Sequence, residues 1–253
     1  MNATERINFI KNALYSEKRV TIADMADKLQ VSYPTVRKYF DQITKSDTSI
    51  SKIHGGLKIE SDDNNDLAIY YKRLIKNEKE KKEIAAKALG FVTEKCTVLL
   101  DSSSTTFELA KAMLNLAFRF TVLTNGISTA RLLSKNENIT TIVLPGIIYK
   151  NSNTIIDEFS FNFTEQFNID LFFFSATGLT LDGGFSEYNL QEVRHKANNI
   201  KKAKKAIALI DSSKFGKSSS ANFATLEDVH ALITDSYLDK ENLNFYKTRV
   251  DIL

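Results

Sequence analysis

The chain has one cysteine, two prolines, nine glycines and no tryptophan in 253 residues. A single thiol, Cys96, excludes a disulfide framework and a thiolate zinc site. The three histidines, His54, His195 and His230, stand far apart along the chain, so no metal is expected, and no cofactor. So little proline and glycine excludes collagen-like and low-complexity chains. No apolar run nears the ~20 residues that span a bilayer. The start, MNATERINFIKNALYSEKR, is amphipathic and charged, without the apolar core of a secretory signal. The expectation is a globular, cytoplasmic protein.

A net charge of +3 decides nothing, but its distribution does. Residues 1–59 hold ten Lys/Arg against six Asp/Glu. Residues 60–66, ESDDNND, carry four acids and no base, the composition of a polar linker. Residues 67–253 are close to neutral. The expected organisation is therefore a small basic module at 1–59, a linker at 60–66 and a larger domain at 67–253.

In the basic module, Ile7, Ile10 and Leu14 recur at helical spacing. Thr21 caps a second helix, with Asp24 in the reciprocal position and Ile22, Met25, Ala26 and Leu29 on one face. Ser32 opens a third helix with Pro34 in its first turn. Val36, Phe40 and Ile43 make its buried stripe, and Tyr33, Thr35, Arg37, Lys38 and Asp41 its other face. Ile50, Ile53, Leu57 and Ile59 alternate around Gly55-Gly56, which reads as a two-stranded hairpin. Three helices and a hairpin suit a winged helix-turn-helix, with Tyr33, Thr35, Arg37 and Lys38 near the N-terminus of a helix that fits a major groove. A small helical bundle for protein contacts is the other reading, in which Arg37 and Lys38 are a solvated face.

The stretch Val31-Ser32-Tyr33-Pro34-Thr35-Val36-Arg37-Lys38, followed by Ile53-His54-Gly55-Gly56, resembles the N-terminal domain of the DeoR family of bacterial transcriptional repressors. Lys38, Tyr39, Phe40 and Lys52 stand where that pattern has Arg, Asp, Leu and Arg. The resemblance implies that Ser32, Tyr33, Thr35, Arg37, Lys38, Lys52 and His54 meet double-stranded operator DNA. Lysine does not fork across a guanine as arginine does, so the operator sequence does not transfer.

Beyond the linker, Leu67 to Phe91 reads as one amphipathic, charge-laced helix whose KNEKEKKE run is a solvated face. Six apolar, β-rich runs then alternate with helical stretches: Thr97–Leu100, Phe120–Leu123, Thr140–Leu144, Leu171–Phe174, Ala206–Ile210 and Ala231–Ile233. This alternation predicts βαβ units and a mostly parallel sheet with helices on both faces. The fold class expected for the whole chain is α/β, a winged helix-turn-helix joined to a three-layer α/β domain.

Small polar residues follow the runs: Asp101-Ser102-Ser103-Ser104-Thr105-Thr106, Thr124-Asn125-Gly126, Pro145-Gly146, Ser175-Ala176-Thr177-Gly178 and Asp211-Ser212-Ser213-Lys214-Phe215-Gly216. Ligands of open α/β sheets bind beyond the carboxyl ends of the strands. Hydroxyl residues at helix starts leave N–H groups for an anion, and Lys214 supplies charge. A pocket for a small phosphorylated polyol fits these loops. Ordinary helix capping fits any one of them equally well.

The same segments resemble the effector domain of the DeoR family, itself similar to ribose-5-phosphate isomerase. The matches are Asp101–Thr106, Thr124-Asn125, Gly146, Glu192-Val193-Arg194 and Asp211–Gly216, with Ser103, Ile147 and Arg194 replacing two glycines and a lysine of the pattern. The resemblance implies a sugar phosphate held by Asp101, Ser102, Ser103, Ser104, Thr105, Thr106, Thr124, Asn125, Gly146, Glu192, Arg194, Asp211 and Lys214. One winged module reads only a few base pairs, so a homodimer or homotetramer on paired half-sites is expected, built largely by residues 67–253. A sugar-phosphate isomerase fused to a DNA-binding module is the alternative. Glu187, Glu192 and Asp211 are the only carboxylates placed to act as its base, and none lies in a recognisable catalytic motif, so no catalytic residue is assigned. Cys96 reads as a small core residue, with redox sensing the second reading. Phe159, Phe161, Phe163 and Phe167 read as core or subunit interface, and His195 and His230 as surface or core polar groups.

Overall fold

A computed structural model describes residues 1–46, 50–59, 66–149, 152–158 and 163–253. The chain divides into two compact units, Met1–Lys76 and Asn77–Leu253.

The first unit runs α1 (Ala3–Glu17), β1 (Arg19–Thr21), α2 (Ile22–Leu29), α3 (Tyr33–Ser46), β2 (Ile50–Ile53), β3 (Gly56–Ile59) and α4 (Asp66–Ile75). Asn2 and Glu5 close a reciprocal capping box at the start of α1. Thr21 Oγ1 accepts from the Asp24 N–H at 3.1 Å to cap α2. Helix α2 stops where Gln30 turns left-handed and its N–H returns to Ala26 O. Ile10, Leu14, Met25, Leu29, Val36, Phe40, Ile43, Ile50 and Leu57 form one buried core, as the helical spacings predict. The wing differs from the expected two-stranded hairpin. It is a three-stranded antiparallel sheet in the order β1-β3-β2, because the three residues after α1 pair with β3. Gly55, at φ +73, makes the hairpin turn, and a Cβ on Gly56 would lie 2.3 Å from Val20 O of β1.

The helix expected over Leu67–Phe91 is two helices. Helix α4 ends at Ile75 and α5 (Glu78–Leu89) begins after Asn77, whose backbone is left-handed at φ 54. Tyr71 and Ile75 of α4 pack on the core of the first unit, so the division falls at Lys76/Asn77 rather than at residue 66. Residues 60–65 of the proposed linker lie outside the described residues, as do Phe159 and Phe161.

The second unit continues with β4 (Thr97–Leu100), α6 (Ser104–Met113), β5 (Phe120–Thr124), α7 (Ile127–Leu133), β6 (Ile139–Val143), β7 (Ile147–Ile148), β8 (Ile155–Ile156), β9 (Leu171–Phe174), β10 (Gly178–Thr180), β11 (Gly184–Glu187), α8 (Leu190–Lys202), β12 (Lys205–Leu209), β13 (Ala221–Ala224), β14 (Ala231–Ile233) and α9 (Lys240–Lys247). The six apolar runs form one parallel sheet ordered β14-β12-β9-β4-β5-β6. The chain winds outward from β4 through β5 to β6, then returns to the other side of β4 with β9. The winding reverses between β4 and β9, and the region beyond their carboxyl ends is where open α/β sheets of this kind place a ligand crevice.

Strand β9 explains why its run is continuously apolar. Phe173 packs with α5, α6 and α7 on one face, while Phe172 and Phe174 pack with Ile200 of α8, Tyr246 of α9 and Phe185 of β11 on the other. All three rings are fully buried. Cys96 is buried in the first of these clusters. Phe163 and Phe167, 5.3 Å apart, lie against the second. A small antiparallel sheet, β10-β11-β13, and the β7–β8 hairpin complete the unit. Among the described residues, no helix is long and apolar enough to cross a membrane.

Candidate functional site

Helix α3 buries Val36, Tyr39, Phe40 and Ile43 and exposes Tyr33, Arg37, Lys38 and Asp41. The sequence-predicted basic face is therefore a solvent face. Ser32 and Thr35 engage each other, with their hydroxyls 2.9 Å apart at the helix start. Lys52 on β2 pairs with Asp41 of α3 at 2.5 Å, which ties wing to helix and lowers the Asp41 pKa through that hydrogen bond. His54 is exposed in the hairpin turn. One surface thus carries Arg37 and Lys38, which form no ion pair among the described residues, on a helix whose opposite side is locked into the core.

In the second unit, the crevice at β4 and β9 is organised by buried charge. Asp101 follows β4. Its Oδ1 accepts from Ser103 N at 3.0 Å and Thr106 Oγ1 at 2.8 Å, and its Oδ2 from Ser175 N at 2.9 Å. Both oxygens are thus engaged by the chain itself, so Asp101 sets the shape of two loops. Ser103 caps α6 by accepting from Thr106 N at 3.2 Å. Its φ of −72 is open to any residue, so the Cβ that replaces glycine here causes no backbone strain.

Lys196 of α8, not Arg194, brings the helix cation into the crevice. Arg194 is exposed, whereas Lys196 is 2% exposed. The Lys196 ammonium donates to Glu187 Oε2 at 2.6 Å and Ser175 O at 2.9 Å, and lies 3.5 Å from Asp101 and 3.6 Å from Glu192. Burial alone would lower its pKa; Glu187, Asp101 and Glu192 outweigh burial and hold it above the usual lysine range. Burial pushes the Glu187 carboxyl up, but Lys196 and the hydroxyl of Thr177 overcome this and hold it well below the usual carboxylate range. Neither Lys196 nor Thr177 was assigned to the site from sequence. The usable signal for Lys196 was its place four residues after Glu192 on one helix face.

Lys214 approaches the same point from the loop after β12. Its ammonium donates to Ser175 Oγ at 2.8 Å and lies 3.5 Å from Asp211. Burial holds it below the usual lysine range, partly offset by Asp211 and Glu187. Its side chain keeps 20% of its surface open, unlike that of Lys196. Asp211 is buried, which raises its pKa, yet Lys214, Ser213 and Asn77 together bring it below the usual range.

The remaining loops adjoin this crevice. Thr124 Oγ1 accepts from Gly126 N at 3.0 Å and closes the turn after β5. Asn125 O accepts from Ile155 N at 2.8 Å, and Asn153 caps α7 through Ser128 N at 3.0 Å. Thr154 Oγ1 donates to Ser102 Oγ at 2.8 Å, joining this segment to the loop after β4. Gly146 serves packing: a Cβ there would lie 2.3 Å from Ile156 O. Thr105 Oγ1, Asn125 Oδ1, Thr129 Oγ1 and Asn153 Nδ2 are buried without a hydrogen-bond partner among the described residues. Buried polar atoms are ordinarily paired; Thr105 and Thr129 stand in the first turns of α6 and α7, and Asn125 and Asn153 in the adjoining loops. Ser104 is buried beside them in the first turn of α6, where backbone N–H groups have no intrahelical acceptor.

Residues 6–63 match the model of the DeoR-like helix-turn-helix domain, and residues 76–236 that of the DeoR C terminal sensor domain. The chain belongs to the DeoR family of transcriptional regulators. It is 36% identical to the HTH-type transcriptional regulator GolR of Listeria innocua over 93% of this chain and 92% of that one. It is 26% identical to the glycerol-3-phosphate regulon repressor of Escherichia coli, with 93% and 92% covered, and 27% identical to that organism's L-fucose operon activator, with 89% and 92% covered. Among solved structures, a D-ribose-5-phosphate isomerase bound to phospho-erythronic acid aligns with 55% of this chain and 54% of its own at 17% identity and a TM-score of 0.42. The relatives are named as regulators, which places this DeoR-family chain with DNA-binding regulators of transcription rather than with isomerases. Its sensor domain takes a small-molecule effector.

Proposed function

We propose that this DeoR-family regulator is a cytoplasmic repressor of an operon of sugar metabolism, released from its operator by a phosphorylated sugar. In this reading it acts as a homo-oligomer, since one winged unit reads only a few base pairs and paired half-sites need a paired protein. The observation that carries the effector assignment is the partly exposed Lys214 side chain near the strand switch point, with the unpartnered atoms of Thr105 in the first turn of α6 and Asn125 in the loop after β5. Lys214 offers charge to a phosphate, and the first turn of α6 offers N–H groups and the hydroxyls of Ser104 and Thr105. Asn125 Oδ1 accepts from a sugar hydroxyl. Of two regulators it resembles, one is named for the regulon of glycerol-3-phosphate, a phosphorylated polyol, and the other for the operon of L-fucose, a sugar.

The test is a thermal-shift panel on the full chain with aldose and ketose phosphates and their unphosphorylated parents, followed by operator release in a gel shift. Lys214→Ala removes a charge-assisted contact, about 1.5–3 kcal/mol or one to two decades of effector affinity. It should leave effector-free operator binding intact. Equal shifts from phosphorylated and unphosphorylated sugars would remove the phosphate from the assignment.

A further inference from the structure

Asn77 is the first residue of the second unit and sits where α4 gives way to α5. An asparagine before a helix ordinarily has extended backbone and turns its side chain onto the helix's own N–H groups. Asn77 does neither. Its φ is 54, in the left-handed region that asparagine tolerates better than most residues, and its side chain makes no bond to α5. Instead its Nδ2 donates to Asp211 Oδ1 at 2.9 Å and to Ser213 Oγ at 2.8 Å. Both acceptors belong to the loop of Lys214, and Ser213 Oγ in turn donates to Asp211 Oδ1 at 2.5 Å. Asp211 Oδ2 faces the Lys214 ammonium at 3.5 Å.

We propose that Asn77 is the relay of this regulator: its bonds to Asp211 and Ser213 tie the first residue of the second unit, next in the chain to the DNA-binding unit, to the loop that receives the effector. The inference rests on the effector assignment above. An anion drawn to Lys214 competes with Asp211 for that ammonium. The Asp211 carboxylate and the Ser213 hydroxyl then rearrange, and the residue they hold is the one whose left-handed backbone opens α5, directly after the last residue of the DNA-binding unit in the chain. No second path of this kind is needed, because the relay is a two-bond contact at the covalent junction itself.

The test uses hydrogen exchange and operator titration on the full chain, with the sugar phosphate that gives the largest thermal shift, at saturation. In the wild type, exchange should change both at residues 211–216 and at residues 76–81, and operator affinity should fall about 5–150-fold, the usual span of allosteric coupling. Asn77→Gly keeps access to the left-handed backbone and removes the amide. In this variant the change at 211–216 should persist, that at 76–81 should vanish, and the effector's influence on operator affinity should shrink to within about twofold. Asn77→Asp, which keeps shape but sets a carboxylate against Asp211, is the second variant if the glycine variant folds poorly, and should uncouple in the same way. A wild type that responds at 211–216 but not at 76–81, or variants that keep full release, overturn the relay and leave the effector site standing. Absence of any response at 211–216 overturns the effector assignment and the relay with it.

Discussion

The Lys196 ammonium and the Glu187 carboxylate lie 2.6 Å apart, with side chains 3% and 6% exposed, and join α8 to the end of β11. Asp101 and Ser175 complete the cluster from β4 and β9, so one buried cation ties together the elements that border the crevice. Such a pair is weak evidence for net stability, since desolvation offsets its attraction. Breaking it from one side is another matter. Lys196→Met should leave two buried carboxylates uncompensated and cost about 3–5 kcal/mol in urea unfolding. Adding Glu187→Gln should restore part of that loss. A single variant as stable as wild type would contradict the arrangement.

Acid should reveal a second group in the same helix, the half-buried His195. Burial, aided by Lys196 and opposed by Asp101 and Asp157, lowers the His195 pKa to about 4 from 6.5. The unfolded chain therefore binds more protons than the folded one between those values, and stability is lost as pH falls from about 6.5 toward 4. Glu187 acts at lower pH: its depressed carboxyl keeps its contribution until pH drops below the usual 4.5. Melting temperature measured from pH 7.5 to 5 should decline in the wild type and decline less in His195→Gln. Identical slopes would assign the decline to other groups.

How much of this was legible beforehand depended on what each residue needed from its neighbours. The six sheet strands read clearly because runs such as Leu171–Phe174 have two covered faces and no polar interruption. Strand β1 did not, since Arg19–Thr21 is three residues long and exists only through its pairing with β3. The break at Asn77 lay hidden in a helical charge pattern because asparagine is unremarkable there; the partner its side chain bonds is 134 residues away. Lys196 stands four residues after Glu192, a spacing equally fit for a solvated pair, and only the meeting of β4, β9 and β11 buries it. The loops of the site were readable as loops, but which atoms stay unpartnered in them is a property of packing alone.

Gly146 offers a check on packing against binding. Its Cβ position lies 2.3 Å from Ile156 O and 2.6 Å from Ile156 C, both backbone atoms that cannot swing aside. Gly146→Ala should cost about 1–3 kcal/mol, the range for forcing extra volume into a packed site. Gly216, at φ +69 with open space around it, loses only conformational ease on the same change and should cost less. Thermal unfolding of the two variants compares them directly, and the reverse order would refute the close contact.

The recognition face makes the sharpest distinction between kinds of contact. Arg37 is exposed on α3 and carries a fork that matches a base edge, so Arg37→Ala should cost about 1–3 kcal/mol on the operator and relax its sequence preference. Lys38 supplies a point charge. Lys38→Ala should weaken operator and random DNA alike and reduce the salt slope by about one phosphate. Lys52 differs again, because Asp41 holds its ammonium at 2.5 Å and must be exchanged for a phosphate before Lys52 can add affinity. Asp41→Asn removes both that competitor and a negative charge from the surface that carries Arg37 and Lys38, and should tighten binding to any duplex while steepening its salt dependence. Fluorescence anisotropy over a salt series separates the three effects. If Asp41→Asn weakened DNA binding while the protein stayed folded, Asp41 would be positioning Lys52 rather than sequestering it.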